Sequence, residues 1–101
     1  MITKKEIVNI LKKHKNEIKT KYDVKNLWLF GSYARGEQRL NSDIDVLFES
    51  KNYDFLKKLD LQTYLLILFD EHEKVVSVVE KNNITKDFQK DILNSKMIKI
   101  C

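Results

Sequence analysis

The chain has no proline and only two glycines, Gly31 and Gly36. Both lie in "GSYARG", between the apolar run "VKNLWLF" (Val24 to Phe30) and "DIDVLFE" (Asp43 to Glu49). With so few residues that break regular structure or take up left-handed backbone, these two mark where the chain must turn sharply. The flanking runs are rich in β-formers, so the pattern predicts strand, turn and strand. A short helix fits over Ser32 to Gln38, with Ser32 near its N-terminus.

The remaining punctuation is read the same way. Thr3 followed by Glu6 forms a capping box and starts a first helix. Ile7, Ile10, Leu11 and Ile18 give that helix an apolar stripe, with His14 as a half-buried member. Tyr53 to Phe69 reads as a long helix with Phe55, Leu56, Leu59, Tyr64, Leu66 and Ile67 inward. Its segment "LDLQTYLLILFDE" holds more apolar residues than one stripe needs. The excess fits either a contact with a partner subunit or a helix covered on two sides. Lys74 to Glu80, "KVVSVVE", predicts a third strand. Thr85 caps a last helix, Lys86 to Asn94, buried through Phe88 and Ile92, and "MIKI" adds an edge strand. The expected fold class is α/β (α+β): a small mixed sheet with helices packed mainly on one face. At 101 residues the expectation is a single domain, 1–101, with one modest core.

Composition narrows the function classes. The longest apolar run, Tyr64 to Phe69, is too short to cross a bilayer, so no membrane association is expected. The start, "MITKKEIVNI", lacks the apolar core of a secretory signal. One cysteine, Cys101, excludes an internal disulfide framework and fits a cytoplasmic protein. The formal charge is +4, but the lysines are dispersed along helices. That dispersal favours solvated faces over direct nucleic-acid binding. The acidic stretch around His72, "DEHEK", reads as a polar helix end and loop rather than a metal site.

Asp43 and Asp45 are the chemically informative pair. Side chains two apart on a strand share a face, while Ile44 and Val46 point to the other. Two close carboxylates repel, and both ionise most readily when a cation lies between them. Hard oxygen ligands suit Mg²⁺ or Mn²⁺, which also bind substrate phosphates. Gly31 permits close backbone approach by a ligand. Ser32 offers a hydroxyl and a helix-start N–H to an anion, and Arg35 adds positive charge. A phosphate cradle facing a carboxylate pair is a layout for phosphoryl or nucleotidyl transfer.

"GSYARGEQRLNSDIDV" resembles the signature of the nucleotidyltransferase superfamily related to DNA polymerase β. In that signature G-S is followed by ten residues and then D-x-D; here the ten are Tyr33 to Ser42. The order of elements and the length are similar to the minimal nucleotidyltransferases, which act as antitoxins beside HEPN-domain RNase toxins. Some of these transfer AMP from ATP to a tyrosine of the toxin. The resemblance implies that Gly31 and Ser32 hold the triphosphate and that Asp43 and Asp45 bind divalent metal. It also implies a nucleoside triphosphate, with ATP foremost, and a HEPN-domain protein as partners. A small-molecule acceptor would need a homo-oligomer to build its site at this length.

The chain departs from the family at one place. The family takes a third carboxylate from a "VDLV"-like segment on the next strand, and "VSVV" (Val76 to Val79) stands there with Ser77 at the acidic position. Serine supplies neither the negative charge nor a good base. Glu80, three residues along, faces the opposite side of the strand. Two functions stay open: a working nucleotidyltransferase, or a domain with weakened or lost catalysis that neutralises its partner by binding.

Overall fold

The computed structural model describes residues 1–101. Four strands form one mixed sheet: β1 (Val24–Phe30), β2 (Ile44–Ser50), β3 (Val76–Glu80) and β4 (Ile98–Lys99), in the order β3-β2-β1-β4. β1 runs antiparallel to both β2 and β4, whereas β2 and β3 are parallel. The β2–β3 crossover is made by the long helix described below. β1 follows the sequence expectation residue for residue, and the "MIKI" segment does supply the edge strand.

Each helix begins where a side chain can satisfy orphan amides. The capping box at Thr3 and Glu6 starts α1 (Lys4–Lys13). α2 (Lys15–Lys21) follows after a break at His14. The single helix expected here is therefore two, although neither glycine nor proline marks the junction. The His14 amide is shared between the carbonyls of Ile10 and Leu11, and its ring packs edge-on against Tyr64. α3 (Gly31–Arg35) is one short turn, ending at Gly36 in left-handed backbone. Asp54 caps α4 (Phe55–Leu68) through the Leu56 amide, and Thr85 caps α5 (Lys86–Asn94) through the Phe88 amide.

The main core fills one sheet face, where Leu27, Leu29, Ile44, Val46, Phe48, Val76 and Val78 meet α1 to α4. The opposite face carries a smaller cluster of Phe30, Leu47 and Ile92, flanked by Trp28, Val79, Ile84 and Met97. Helices thus lie mainly on one face, with only α5 on the other. Alternation along β2 explains the division: Ile44, Val46 and Phe48 point to the main core, and Asp45 and Leu47 to the α5 side.

Two inward assignments are corrected. On α4 the fully buried side chains are Leu61 and Leu65, with Phe69 just beyond the helix. Tyr64 and Leu66 are partly buried against this core, but Phe55, Leu56, Leu59 and Ile67 are exposed. Apolar residues of α4 are spread over more than one face instead of forming a single stripe, so periodicity alone leaves its rotation undetermined. Tertiary bonds accompany the observed rotation: Lys57 pairs with Asp23, and the Tyr64 hydroxyl donates to Glu17 at 3.1 Å. On α5, Ile92 is buried as expected while Phe88 is exposed.

This rotation is open to a paired measurement. Leu65→Ala is expected to cost about 2–5 kcal/mol in urea unfolding. Ile67→Ala should stay within about 0.5 kcal/mol of wild type. Equal losses would contradict the rotation described here.

Candidate active site

β1 ends at Phe30, and the backbone turns at Gly31 with φ of 77°. Left-handed backbone is one reason for glycine there. A closer constraint comes from β2, whose Asp45 pairs with Phe30 across the ladder. A Cβ on residue 31 would collide with Asp45 Oδ2, and would lie 3.0 Å from its Cγ and 3.1 Å from its Cβ. The Asp45 carboxylate therefore rests against the bare Cα of Gly31. Sequence reasoning placed glycine here for backbone freedom and ligand approach; the structure adds the seat for Asp45.

Asp45 lies on the α5 face of the sheet, at the end of the strand ladder. Burial and the neighbouring Asp43 charge both push its carboxyl above the usual range, against a smaller opposing pull from Arg35. Asp43 itself is exposed and lies one residue ahead of β2, not on the strand as expected. Ser77 pairs with Asp45 in the parallel β2–β3 register. Residues so paired are about 4.8 Å apart across strands. Both belong to the alternate set of residues that faces away from the main core, so Ser77 stands beside Asp45 on the same side.

The other candidates divide. Gly31 and Ser32 open α3, with Gly31 directly against Asp45. Arg35 is exposed, and its Nε donates to Glu37 Oε2 at 3.0 Å, so it is drawn sideways into a surface pair. Glu80 is buried on the opposite face, as the strand alternation requires. There it accepts from the Ser50 and Asn82 amides and the Ser50 hydroxyl, and stands away from the aspartates. The His72 ring lies 3.4 Å from the Glu71 carboxylate, within a short turn over Asp70–His72, and does not cluster with the aspartate pair. A surface hollow of about 370 Å³ lies elsewhere, lined by Lys21, Tyr22, Asp60, Thr63, Tyr64 and Ile67, and includes no candidate site residue. Burial and the Glu17 bond push the Tyr64 hydroxyl up to about 12.

One participant was not singled out from the sequence. Lys74 Nζ donates to the carbonyls of Leu40 and Ser42, just ahead of Asp43. Its side chain reaches a loop more than thirty residues earlier in the chain, which no local pattern reveals.

The donor set fits a hard divalent cation. Nowhere do three His, Cys, Asp or Glu side chains converge to form a full protein-built metal cage. Mg²⁺ does not need one, because it commonly binds through one or two carboxylates plus waters and substrate phosphates. The like-charged pair at Asp43 and Asp45, one member desolvated, is relieved by such a cation.

A mixed sheet that seats one carboxylate of a close pair against a glycine turn is a layout compatible with a cation-and-phosphate site. Comparison with known proteins gives the class of protein. The family model described as a nucleotidyltransferase domain matches residues 11–100, and the chain belongs to that family. A candidate protein adenylyltransferase of Methanocaldococcus jannaschii is 42% identical over 101 residues, covering 99% of this chain and 100% of the relative. Protein adenylyltransferase MntA of Thermococcus cleftensis is 34% identical over 94 residues, covering 92% of each chain. A solved candidate minimal nucleotidyltransferase superposes with a TM-score of 0.75 at 21% identity, over 94% of each chain. A tri-AMPylated Shewanella oneidensis HEPN toxin in complex with an MNT antitoxin matches with a TM-score of 0.63 at 13% identity. That match covers 93% of this chain and 71% of the other. At these identities the two structural matches speak to fold alone.

The Asp45 environment has a consequence for stability in the metal-free protein. Its raised pKa means the folded state holds the proton more tightly than the unfolded state. Its contribution is therefore most favourable at low pH, declines as pH climbs through the raised pKa, and levels off above it. Asp45→Asn is expected to melt above wild type near pH ~7, with the gap closing toward pH ~4, where an ordinary carboxyl is itself protonated. Melting curves across that range, with chelator present, check the sign.

Proposed function

We propose that the chain is the nucleotidyltransferase antitoxin of a HEPN toxin–antitoxin pair, transferring AMP from ATP to a hydroxyl of its partner. The observation that carries this reading is the placement of Asp45, seated against Gly31 and close enough to Asp43 to feel its charge. The naming of full-length relatives as protein adenylyltransferases supports the choice of AMP and of a protein acceptor. The partner class is our inference from the shared fold, one example of which is an MNT antitoxin in complex with a HEPN toxin. The exposed side chains of Phe55, Leu56, Leu59 and Ile67 on α4 are the kind of apolar stripe that a protein partner covers.

In this reading residues 1–101 act as one catalytic unit. Asp43 and Asp45 would hold Mg²⁺ or Mn²⁺, which would offset phosphate charge and favour the ionised acceptor hydroxyl. Gly31 lets the triphosphate approach the backbone, and Ser32 presents its hydroxyl and amide to it. Arg35 adds positive charge at the rim once it exchanges Glu37 for phosphate. The acceptor oxygen forms a bond to the α-phosphorus, the bond from that phosphorus to the bridging oxygen breaks, and pyrophosphate leaves. Asp43 and Asp45 orient this in-line geometry. Ser77 stays neutral, so the proton of the acceptor hydroxyl passes to water or to the partner.

The Ser77 position favours a second reading, in which catalysis is lost and the chain neutralises its partner by binding. Labelled ATP with Mg²⁺ and the partner separates the two. Transfer to the partner is expected, and Asp43→Ala or Asp45→Ala should reduce it by about 100-fold or more. If both variants still neutralise the partner fully and wild type transfers no label, the binding-only reading stands.

A gain of function tests the third ligand position. Ser77→Asp places a carboxylate beside Asp45 and is expected to raise metal-dependent transfer at least about tenfold. An unchanged rate in a folded variant would show that the register neighbour of Asp45 is not the missing ligand.

A further inference from the structure

The two aspartates are supported unequally. Asp45 belongs to β2 and is paired on both sides, with Phe30 on β1 and Ser77 on β3. Asp43 lies outside the ladder, at the end of the irregular segment that follows Gly36. A carboxylate on such a segment would sample many positions, and a metal ligand loses affinity for each position it must give up on binding.

The segment is nevertheless tied down, and mostly by one side chain. Lys74 Nζ donates to the Leu40 carbonyl at 2.8 Å and to the Ser42 carbonyl at 2.9 Å. The second of these belongs to the peptide bond that leads into Asp43. On the far side of Asp43, the Ile44 amide donates to the Val75 carbonyl at 2.9 Å. Asp43 is thus suspended between two anchors supplied by adjacent residues, Lys74 and Val75. Within the loop, the Arg39 amide donates to Ser42 Oγ at 2.8 Å and the Ser42 amide returns to the Arg39 carbonyl at 3.0 Å, closing a turn.

The chemistry at Lys74 is that of a clamp. Its ammonium makes no carboxylate ion pair. Its Nζ stands 5.5 Å from the ring centroid of the fully buried Tyr33, so the charge is held by two carbonyl dipoles and an aromatic face. An ammonium carries three N–H donors, so one Lys74 side chain can hold two carbonyls from residues two apart at a single point. Glu73, immediately before, adopts left-handed backbone with φ of 54°, a conformation that costs free energy for a side chain other than glycine. The strained turn leads directly into the residue that reaches back to the loop.

We propose that Lys74 is the positioning residue for Asp43, fixing the loop backbone so that this carboxylate meets a divalent cation together with Asp45. The inference rests on the nucleotidyl-transfer reading of the site. Lys74 acts through Asp43 and does not touch the reacting atoms.

Mn²⁺ binding followed by the electron paramagnetic resonance of the free ion provides the test, with amide hydrogen exchange at residues 40–43 as a second readout. Wild type is expected to bind, and Asp45→Asn to abolish binding. Lys74→Met should weaken binding by about tenfold, the lower end of the range for groups that orient metal ligands, and speed exchange at 40–43. In an Asp43→Ala background, Lys74→Met should change affinity no further, because the two act as one unit. A merely structural lysine would instead weaken binding equally in both backgrounds. If Lys74→Met does not fold, Lys74→Arg carries the test: it keeps the charge over Tyr33, alters the donor geometry, and should bind Mn²⁺ more weakly than wild type. Wild-type affinity in the folded Lys74 variant, with Asp45→Asn inactive in binding, overturns this inference alone. Failure of wild type to bind Mn²⁺ overturns the reading of the site and the inference with it.

Discussion

The contact between the Asp45 carboxylate and the bare Cα of Gly31 is the constraint on which the site depends. It exists because β1 and β2 run antiparallel in a register that puts Phe30 opposite Asp45. The chain leaving β1 then has to turn immediately, and the atom that any other residue would carry there is occupied by Asp45. One position thus meets two demands, left-handed backbone and the absence of a side chain. The main core holds this register from below, through Leu29, Ile44 and Val46, so the fold and the placement of the carboxylate are the same piece of packing.

The electrostatics follow from that placement. Asp45 is partly withdrawn from water beside a second carboxylate, so its carboxyl is pushed above the usual range and a nearby cation would offset that cost. The structure keeps the pair together anyway, one member on the strand ladder and the other on a loop pinned by Lys74. In the proposed reading, such an arrangement exchanges some stability for readiness to bind a cation. Ser77, next to Asp45 in the parallel ladder, leaves the protein's own donor set at two carboxylates and gives water and phosphate oxygens a larger share in any metal shell.

Legibility in the sequence varied with the range of the interaction. β1, the caps of α1 and α5 and the edge strand were readable because a few neighbouring residues decide them. The Gly-Ser turn and the aspartate pair stood out because their spacing is itself the signal, and counting along the strand put Ser77 level with Asp45, as the register has it. The rotation of α4 was misread, with Phe55, Leu56, Leu59 and Ile67 placed inward. A helix with apolar residues on more than one face has no rotation that periodicity alone selects; packing of Leu61 and Leu65 into the main core decides it, and the Lys57–Asp23 and Tyr64–Glu17 contacts accompany that choice. The division of the first helix at His14 and the displacement of Asp43 off the strand escaped for the same reason, since neither leaves a local mark.

Residue types and their spacing along the chain were enough to specify that three strands and a short edge strand exist, the turn after the first of them, and the family signature. Those are properties of neighbours within a few positions, where hydrogen bonding and side-chain alternation have a fixed period. The seat of Asp45 on Gly31, the alignment of Ser77 with Asp45 and the grip of Lys74 on the Asp43 loop arose only on folding. Each joins residues about 14 to 34 positions apart in the sequence, and contacts at that range are set by which surfaces pack together, a choice made by the whole core at once.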